Sequence, residues 1–263
     1  MSHLAVNRDL CAQDNICVEE CPMGLITADS EGYPQPIEGA AHMCTLCGHC
    51  MASCPHQALS VGGVAPESLT QVHKDLAVNT DQAVQFLASR RSVRAYKKAP
   101  LEQELIEQVL NVTRWSPTGL NRQPVQWLVY NGRDRVSRLA GITADFLRGN
   151  EFFSGLAQAW DAGQDRILRG APAVVIAHAP AENNIYSVDC VSAMTYLDLA
   201  AKAHGLGACW AGLLMMAAGG FPAMQAELNL PQGNAVFAAM MLGRPKFAYH
   251  AIPQRKPLAV EWR

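Results

Sequence analysis

A run of four cysteines constrains this chain more than any other feature. Cys44, Cys47, Cys50 and Cys54 follow the spacing C-x2-C-x2-C-x3-C, and Pro55 closes the run. Three closely spaced thiolates fit three corners of one cubane cluster, while the fourth, turned away by its proline, reaches a neighbouring cluster. The run also has a copy. Cys11, Cys17, Cys21 and Pro22 each recur 33 residues later, as Cys44, Cys50, Cys54 and Pro55, and the same shift carries Asp14 onto Cys47. Leu25-Ile26 and Ala58-Leu59 follow in equivalent apolar positions. This is an internal duplication in which one thiolate position has become a carboxylate.

The run is similar to that of bacterial two-cluster ferredoxins, whose fourth cysteine ligates the other cluster. On that crossover rule Cys44, Cys47, Cys50 and Cys21 are expected to hold one [4Fe–4S] cluster. Cys11, Cys17 and Cys54 hold the second, with Asp14 at its fourth corner. A carboxylate is a harder ligand than a thiolate and holds that iron more weakly, so a [4Fe–4S] cluster with an Asp ligand and a [3Fe–4S] cluster both stay open there. Structural zinc is the rival reading. It is disfavoured because zinc takes four ligands per ion and has no use for a proline-terminated run of this spacing. His49 and His56, scattered among the cysteines, read as surface or packing residues.

Seven of the nine cysteines lie in the first 54 residues, which marks a domain boundary. Their odd number, their close spacing and the absence of an export signal favour metal in a reducing compartment, and the expected location is the cytoplasm. A formal charge of −2 offers no general attraction for polyanions, so nucleic acid is not an expected partner. The most apolar run, Gly207 to Phe221, falls short of the roughly 20 residues a bilayer demands and reads as buried core, with no membrane expected. The expected organisation is an iron–sulfur domain over 1–62, a connector over 63–83 with one helical turn, and a larger domain over 84–263.

In the larger domain Thr80 is a candidate N-cap for a helix through Val84, Phe86 and Leu87. Pro100 starts a second helix with Leu101, Leu105, Ile106, Val109 and Leu110 on one face. A long helix is expected from Ser187 to His204, closed by Gly205. Strands are expected at 126–130, 173–177 and 235–242, the last two buried on both faces. Helices alternating with a few buried strands indicate an α+β layer structure. A dinucleotide fingerprint fails at Gly205-Leu206-Gly207, because Trp210 replaces the third glycine and the segment follows a helix rather than a strand.

Three separated segments resemble the nitroreductase family of FMN-dependent oxidoreductases, over most of residues 84–263. Arg90-Arg91-Ser92-Val93-Arg94-Ala95-Tyr96 is similar to the family's phosphate-binding segment. Ser116-Pro117-Thr118-Gly119-Leu120-Asn121-Arg122-Gln123-Pro124 resembles its turn beside the flavin ring. Gly205 to Gly212 and Gln254-Arg255-Lys256-Pro257-Leu258 complete the pattern. Val125 departs from it, since an aromatic residue usually follows Gln-Pro there.

The resemblance implies a mixed central sheet with surrounding helices, and an FMN at a homodimer interface contacted by both chains. Guanidinium groups bind phosphate oxygens bidentately, so Arg90, Arg91, Arg94 and Arg255 would anchor the FMN tail, with Ser92 as a neutral donor. Pro117, Thr118, Gly119, Asn121 and Gln123, with the Trp210-Ala211-Gly212 backbone, would meet the flavin ring edge. Phe146, Phe152, Phe153 and Trp160 form a candidate lid that ordinary packing explains as well. Cys190 and Cys209 read as buried thiols. The implied activity passes electrons from the clusters, or from NAD(P)H, through FMN to a small nitroaromatic- or quinone-like acceptor. A ferredoxin is a competing donor. No side chain stands out as catalytic acid or base. The alternatives are a non-catalytic electron relay or redox sensor, and a flavin-handling or dehalogenating branch of the same fold.

Overall fold

The 33-residue repeat is written into the backbone of the amino-terminal unit. In a computed structural model, described here for residues 3–263, the chain divides into two units: 1–77 joined by 120–122, and 78–119 joined by 123–263. In the first, α1 (Ile16–Glu19) shifted by 33 residues falls on α3 (His49–Ala52), and β2 (Ile26–Ala28) falls on β4 (Leu59–Val61). Left-handed residues repeat too: Gln13 with Leu46, Asn15 with Gly48, and Gly24 with Gln57. Such conformations disfavour ordinary side chains, so their recurrence at the non-glycine pair Gln13 and Leu46 marks a loop path shared by both copies.

The strands were not foreseen in this unit. β1 (Leu4–Val6) pairs antiparallel with β4, and β2 with β3 (Pro34–Pro36). Between β3 and α3 lies the single turn α2 (Ala40–Met43). The apolar cluster is small: Leu4, Cys17, Ile26, Met51, Leu59 and Val61. The connector forms two 3-10 turns, Pro66–Ser68 and Lys74–Leu76, where one helical turn was expected.

The larger unit is built on a four-stranded sheet. Its strands β5 (Gln126–Asn131), β6 (Ala173–Pro180), β7 (Gly207–Trp210) and β8 (Asn234–Gly243) lie in the order β5-β6-β8-β7. All three pairings are antiparallel, where a mixed sheet was expected; β8 returns between β6 and β7 and separates them. Alternation along the two central strands makes two cores. Val174, Ile176, Ala239 and Met241 face one, and Ala173, Val175, Ala177, Ala238, Met240 and Leu242 the other. Helices α6 (Arg133–Arg148), α7 (Ser154–Asp161), α9 (Gly212–Ala218) and α10 (Pro222–Leu228) cover the first face. Helices α5 (Gln103–Val112) and α8 (Ile185–Ala203) cover the second.

Helix starts required two corrections. The helix expected to be capped by Thr80, α4 (Thr80–Ala88), is capped by Asn79, whose Oδ1 accepts from Gln82 N while Gln82 Oε1 accepts from Asn79 N. That reciprocal box satisfies two backbone donors, which Thr80 as first residue does not. Helix α5 starts at Gln103 rather than Pro100, with Leu101 buried ahead of it and its carbonyl taken by Asn131 Nδ2 at 3.0 Å. The long helix ends as expected, with Gly205 at φ 71° past its last turn.

Of the candidate lid, Phe146, Phe153 and Trp160 pack on the first core, and only Phe152 is exposed. The run from Gly207 to Phe221 is β7 and α9, inside the fold. Among the described residues no helix is long and apolar enough to cross a membrane.

Candidate functional site

The eight candidate cluster ligands divide between two hollows of the amino-terminal unit. Cys21, Cys44, Cys47 and Cys50 line one of about 480 Å³, and Cys11, Asp14, Cys17 and Cys54 line another of about 310 Å³. These are the two sets expected from the crossover rule. Among the described residues no three His, Cys, Asp or Glu side chains converge on a point that suits a single metal ion. The donors surround a space instead.

Local chemistry fits an anionic sulfur cluster. Leu25 N donates to Cys21 Sγ at 3.2 Å, and at the repeated position Ala58 N donates to Cys54 Sγ at 3.4 Å. A backbone donor aimed at sulfur favours the thiolate, the form that ligates metal. Burial pushes the Cys17 thiol up to about 11 and raises Cys50 as well. A coordinated metal reverses that penalty, because a coordinating thiol is deprotonated outright. His49 and His56 are exposed, in keeping with their reading as surface residues.

The repeat breaks at Asp14. Asp14 is exposed, and its Oδ1 accepts from Ile16 N at 3.2 Å, an Asx turn leading into α1. The carboxylate therefore has a structural partner whether or not its other oxygen meets iron.

In the larger unit the basic segment Arg90–Tyr96 lies along the ends of β7 and β8. Val93 N donates to Ala208 O at 3.0 Å, and Lys97 N to Arg244 O at 2.8 Å. The approach is so close that a Cβ on Gly207 would lie 2.4 Å from a Val93 methyl. Only glycine fits there. Arg90 and Arg91 line a hollow of about 1120 Å³ with Lys97, Lys202 and Lys246.

Sequence reading missed Asp198, which also lines this hollow and pairs with Arg90 at 3.3 Å. Burial raises the Asp198 carboxyl above its ordinary value, with Arg90 opposing the shift. Lys202 Nζ donates to Phe86 O and Ser89 Oγ. Arg91 donates to Ala88 O, and Arg94 Nη1 to Ser92 O at 3.4 Å.

The Ser116–Pro124 turn carries three left-handed non-glycine residues, Leu120, Asn121 and Gln123. Such conformations cost of order 1–3 kcal/mol each and persist only where surrounding structure over-determines them. Gly119 N donates to Asp189 Oδ1 at 3.0 Å, and Gln123 N to Thr118 Oγ1 at 3.1 Å. Asp189 is buried on α8 and is a second residue that no sequence signal indicated. Asn121, expected at a flavin edge, groups with the first unit. There its Nδ2 donates to Thr45 O at 3.0 Å and Leu46 O at 3.1 Å, the two peptides between Cys44 and Cys47.

Thr118 and Gln123 line a separate hollow of about 540 Å³ with Arg114, Val125 and Trp127. Pro117 and Gly119 flank Thr118 in the same turn. Trp210-Ala211-Gly212 bridges β7 and α9, and Ala211 N donates to Ala239 O at 2.8 Å. Arg255 lies in the irregular, exposed segment 246–263 and lines none of these hollows. The candidate FMN residues therefore do not converge within one chain. Cys190 and Cys209 are buried, and burial pushes the Cys190 thiol up to about 12.

Comparison with known proteins agrees with both parts of the sequence. Residues 87–244, more than half of the chain, match the Nitroreductase family, and residues 10–59 match the 4Fe-4S dicluster domain. A protein of Archaeoglobus fulgidus provisionally named NADH dehydrogenase/NAD(P)H nitroreductase is 25% identical over 171 residues, covering 63% of this chain and 87% of that protein. The 4-nitrobenzoate reductase of Pseudomonas putida is 29% identical over 167 residues, covering 51% and 74%. Among solved structures, a nitroreductase from Bacteroides fragilis with bound FMN superposes with a TM-score of 0.58 at 21% identity, over 68% of this chain and 96% of that one. A protein from Desulfovibrio desulfuricans in complex with FMN, provisionally named a nitroreductase, gives 0.52 at 26% identity, over 69% and 94%.

Proposed function

This chain belongs to the nitroreductase family, and we propose that it is an iron–sulfur flavoenzyme in which two clusters and an FMN share electrons on the way to a small organic acceptor. The carrying observation is that eight donors in a 4Fe-4S dicluster domain sort into two four-donor hollows, in the same chain as a nitroreductase domain. Cys21, Cys44, Cys47 and Cys50 hold one cluster. Cys11, Cys17 and Cys54 hold the other, with Asp14 as its weaker fourth ligand, so that this site exists with three or four irons.

FMN, when bound, supplies the exchange between one-electron carriers and two-electron transfer. Arg90, Arg91, Arg94 and Ser92 bind its phosphate, and Asp198 orients Arg90. The Ser116–Pro124 turn and the Trp210-Ala211-Gly212 backbone position the ring. The separation of these groups within one chain, with Arg255 on an exposed arm, supports a homodimer in which a second copy completes each flavin site. Tethering the clusters to the flavin domain raises their effective concentration and removes a diffusive encounter. Electrons enter from NAD(P)H at the flavin face or from a reduced ferredoxin at the clusters. A reducing compartment, the cytoplasm, suits both.

Anaerobic turnover with a panel of nitroaromatics and quinones tests this reading. Repeated reoxidation of reduced protein by at least one class is expected. Reduced flavin that none of them reoxidises over many cycles contradicts it and favours a relay serving a protein partner.

A further inference from the structure

The hollow bounded by Cys21, Cys44, Cys47 and Cys50 has two polar side chains in its wall that the ligand pattern does not account for, Thr45 and His3, and of these His3 carries a buried, unpaired nitrogen. His3 lines it beside Leu4 and Val61. Its position is set by the sheet: Gly62 N donates to His3 O at 2.8 Å, extending the β1–β4 ladder by one residue beyond the Leu4–Val61 pair. His3 Nε2 is buried from solvent and has no hydrogen-bond partner. Buried polar atoms are nearly always paired, and one left over beside a binding hollow calls for an explanation.

Resting on the cluster assignment above, we propose that His3 is a positioning residue whose Nε2–H donates a hydrogen bond to a sulfur of the cluster in this hollow and raises that cluster's reduction potential. An imidazole accepts or donates through Nε2 according to its tautomer, and an anionic sulfur selects the donor form. Reduction adds negative charge to the cluster, so a donor at its sulfur stabilises the reduced form more than the oxidised one.

The second hollow has a histidine in its wall but no buried, unpaired histidine nitrogen. Its histidine, His56, is exposed, and its buried unpaired atom is an acceptor, Asn15 Oδ1. The two halves of the repeat therefore differ in donors around the clusters as well as in ligands. The electron is expected to rest preferentially on the cluster beside His3.

The test is an EPR-monitored redox titration of the full-length, anaerobically purified protein and its His3→Leu and His3→Gln variants. Iron and the visible spectrum are measured first. Four-iron signals absent from the wild type would overturn the cluster assignment itself. With clusters present, His3→Leu is expected to shift the reduced-to-oxidised ratio of one cluster about tenfold towards oxidised at a fixed potential, which is about 59 mV for a one-electron couple. The other cluster serves as an internal reference and stays put. His3→Gln, which keeps an N–H donor, is expected to recover at least half of the shift. Unchanged potentials in His3→Leu, or equal shifts of both clusters, overturn the proposal. Should His3→Leu lose its iron, the likewise apolar His3→Phe takes its place and is held to the same outcomes.

Discussion

In the amino-terminal unit the buried apolar cluster amounts to Leu4, Cys17, Ile26, Met51, Leu59 and Val61, whereas the larger unit buries side chains on both faces of a four-stranded sheet. A small unit buries proportionally less of its surface, and natural small scaffolds commonly add disulfides or metal to hold a fold. Here the cysteines surround two hollows, so on the proposed cluster assignment the same residues serve the fold and the chemistry. In the larger unit the two tasks are divided: Leu139, Leu197 and Met240 hold the sheet, and charged or strained segments at its margins carry the candidate site.

The largest expected effect breaks the comparison at its root. Extracting iron with a chelator from oxidised protein is expected to unfold residues 3–77 while the sheet of the larger unit keeps its amide protection, because metal-binding free energy is folding free energy in the first unit alone. Hydrogen exchange read by mass spectrometry checks this. Protection retained throughout the first unit without iron would show that its apolar cluster suffices.

The reverse experiment follows in size. Leu139→Ala, at a fully buried position of α6, is expected to destabilise the larger unit by about 2–5 kcal/mol in denaturant titration and leave the cluster spectrum unchanged. Loss of cluster absorbance at the same denaturant concentration would mean that the units unfold as one.

Asp14→Cys sharpens the contrast inside the repeat. It makes the second hollow match the first, so the oxidised protein is expected to give no three-iron EPR signal and to release iron more slowly to a chelator. The same change removes the Asx turn to Ile16, a loss that the added thiolate ligand is expected to outweigh in the iron-loaded protein. Faster iron release in the variant would argue that Asp14 is no ligand.

The smallest effect is a pH dependence in the larger unit. Burial lowers the His178 imidazole below its ordinary 6.5, so the unfolded chain binds that proton more readily than the folded one. The stability that His178 contributes in its neutral form is full above pH 6.5 and is lost as the pH falls below it. Thermal melts on either side of that value are expected to show a larger acid-induced decrease in wild type than in His178→Asn. Equal decreases would place the acid sensitivity elsewhere.

Legibility in the sequence followed the range of the interaction. The 33-residue repeat, the two donor sets and the end of α8 at Gly205 were readable because they rest on fixed spacings and on local backbone chemistry. Strand β7 was not, since Gly-Ala-Cys-Trp carries no alternation and its place depends on β8 and on the Val93 contact at Gly207. Asp198 and Asp189 escaped notice because a buried acid is recognisable only by its partner. Those partners, Arg90 and Gly119, lie 108 and 70 residues away. Asn121 was legible as a turn residue but not as the donor that meets Thr45 and Leu46, 76 and 75 residues distant.

Rapid mixing of the anaerobic, FMN-loaded protein with a one-electron reductant, beside its Cys47→Ala variant, bears most directly on electron sharing between clusters and flavin. Cluster bleaching ahead of flavin bleaching is predicted in the wild type, with flavin reduction at least about tenfold slower in the variant. Flavin bleaching at one rate in both proteins, whatever the clusters do, would contradict the account.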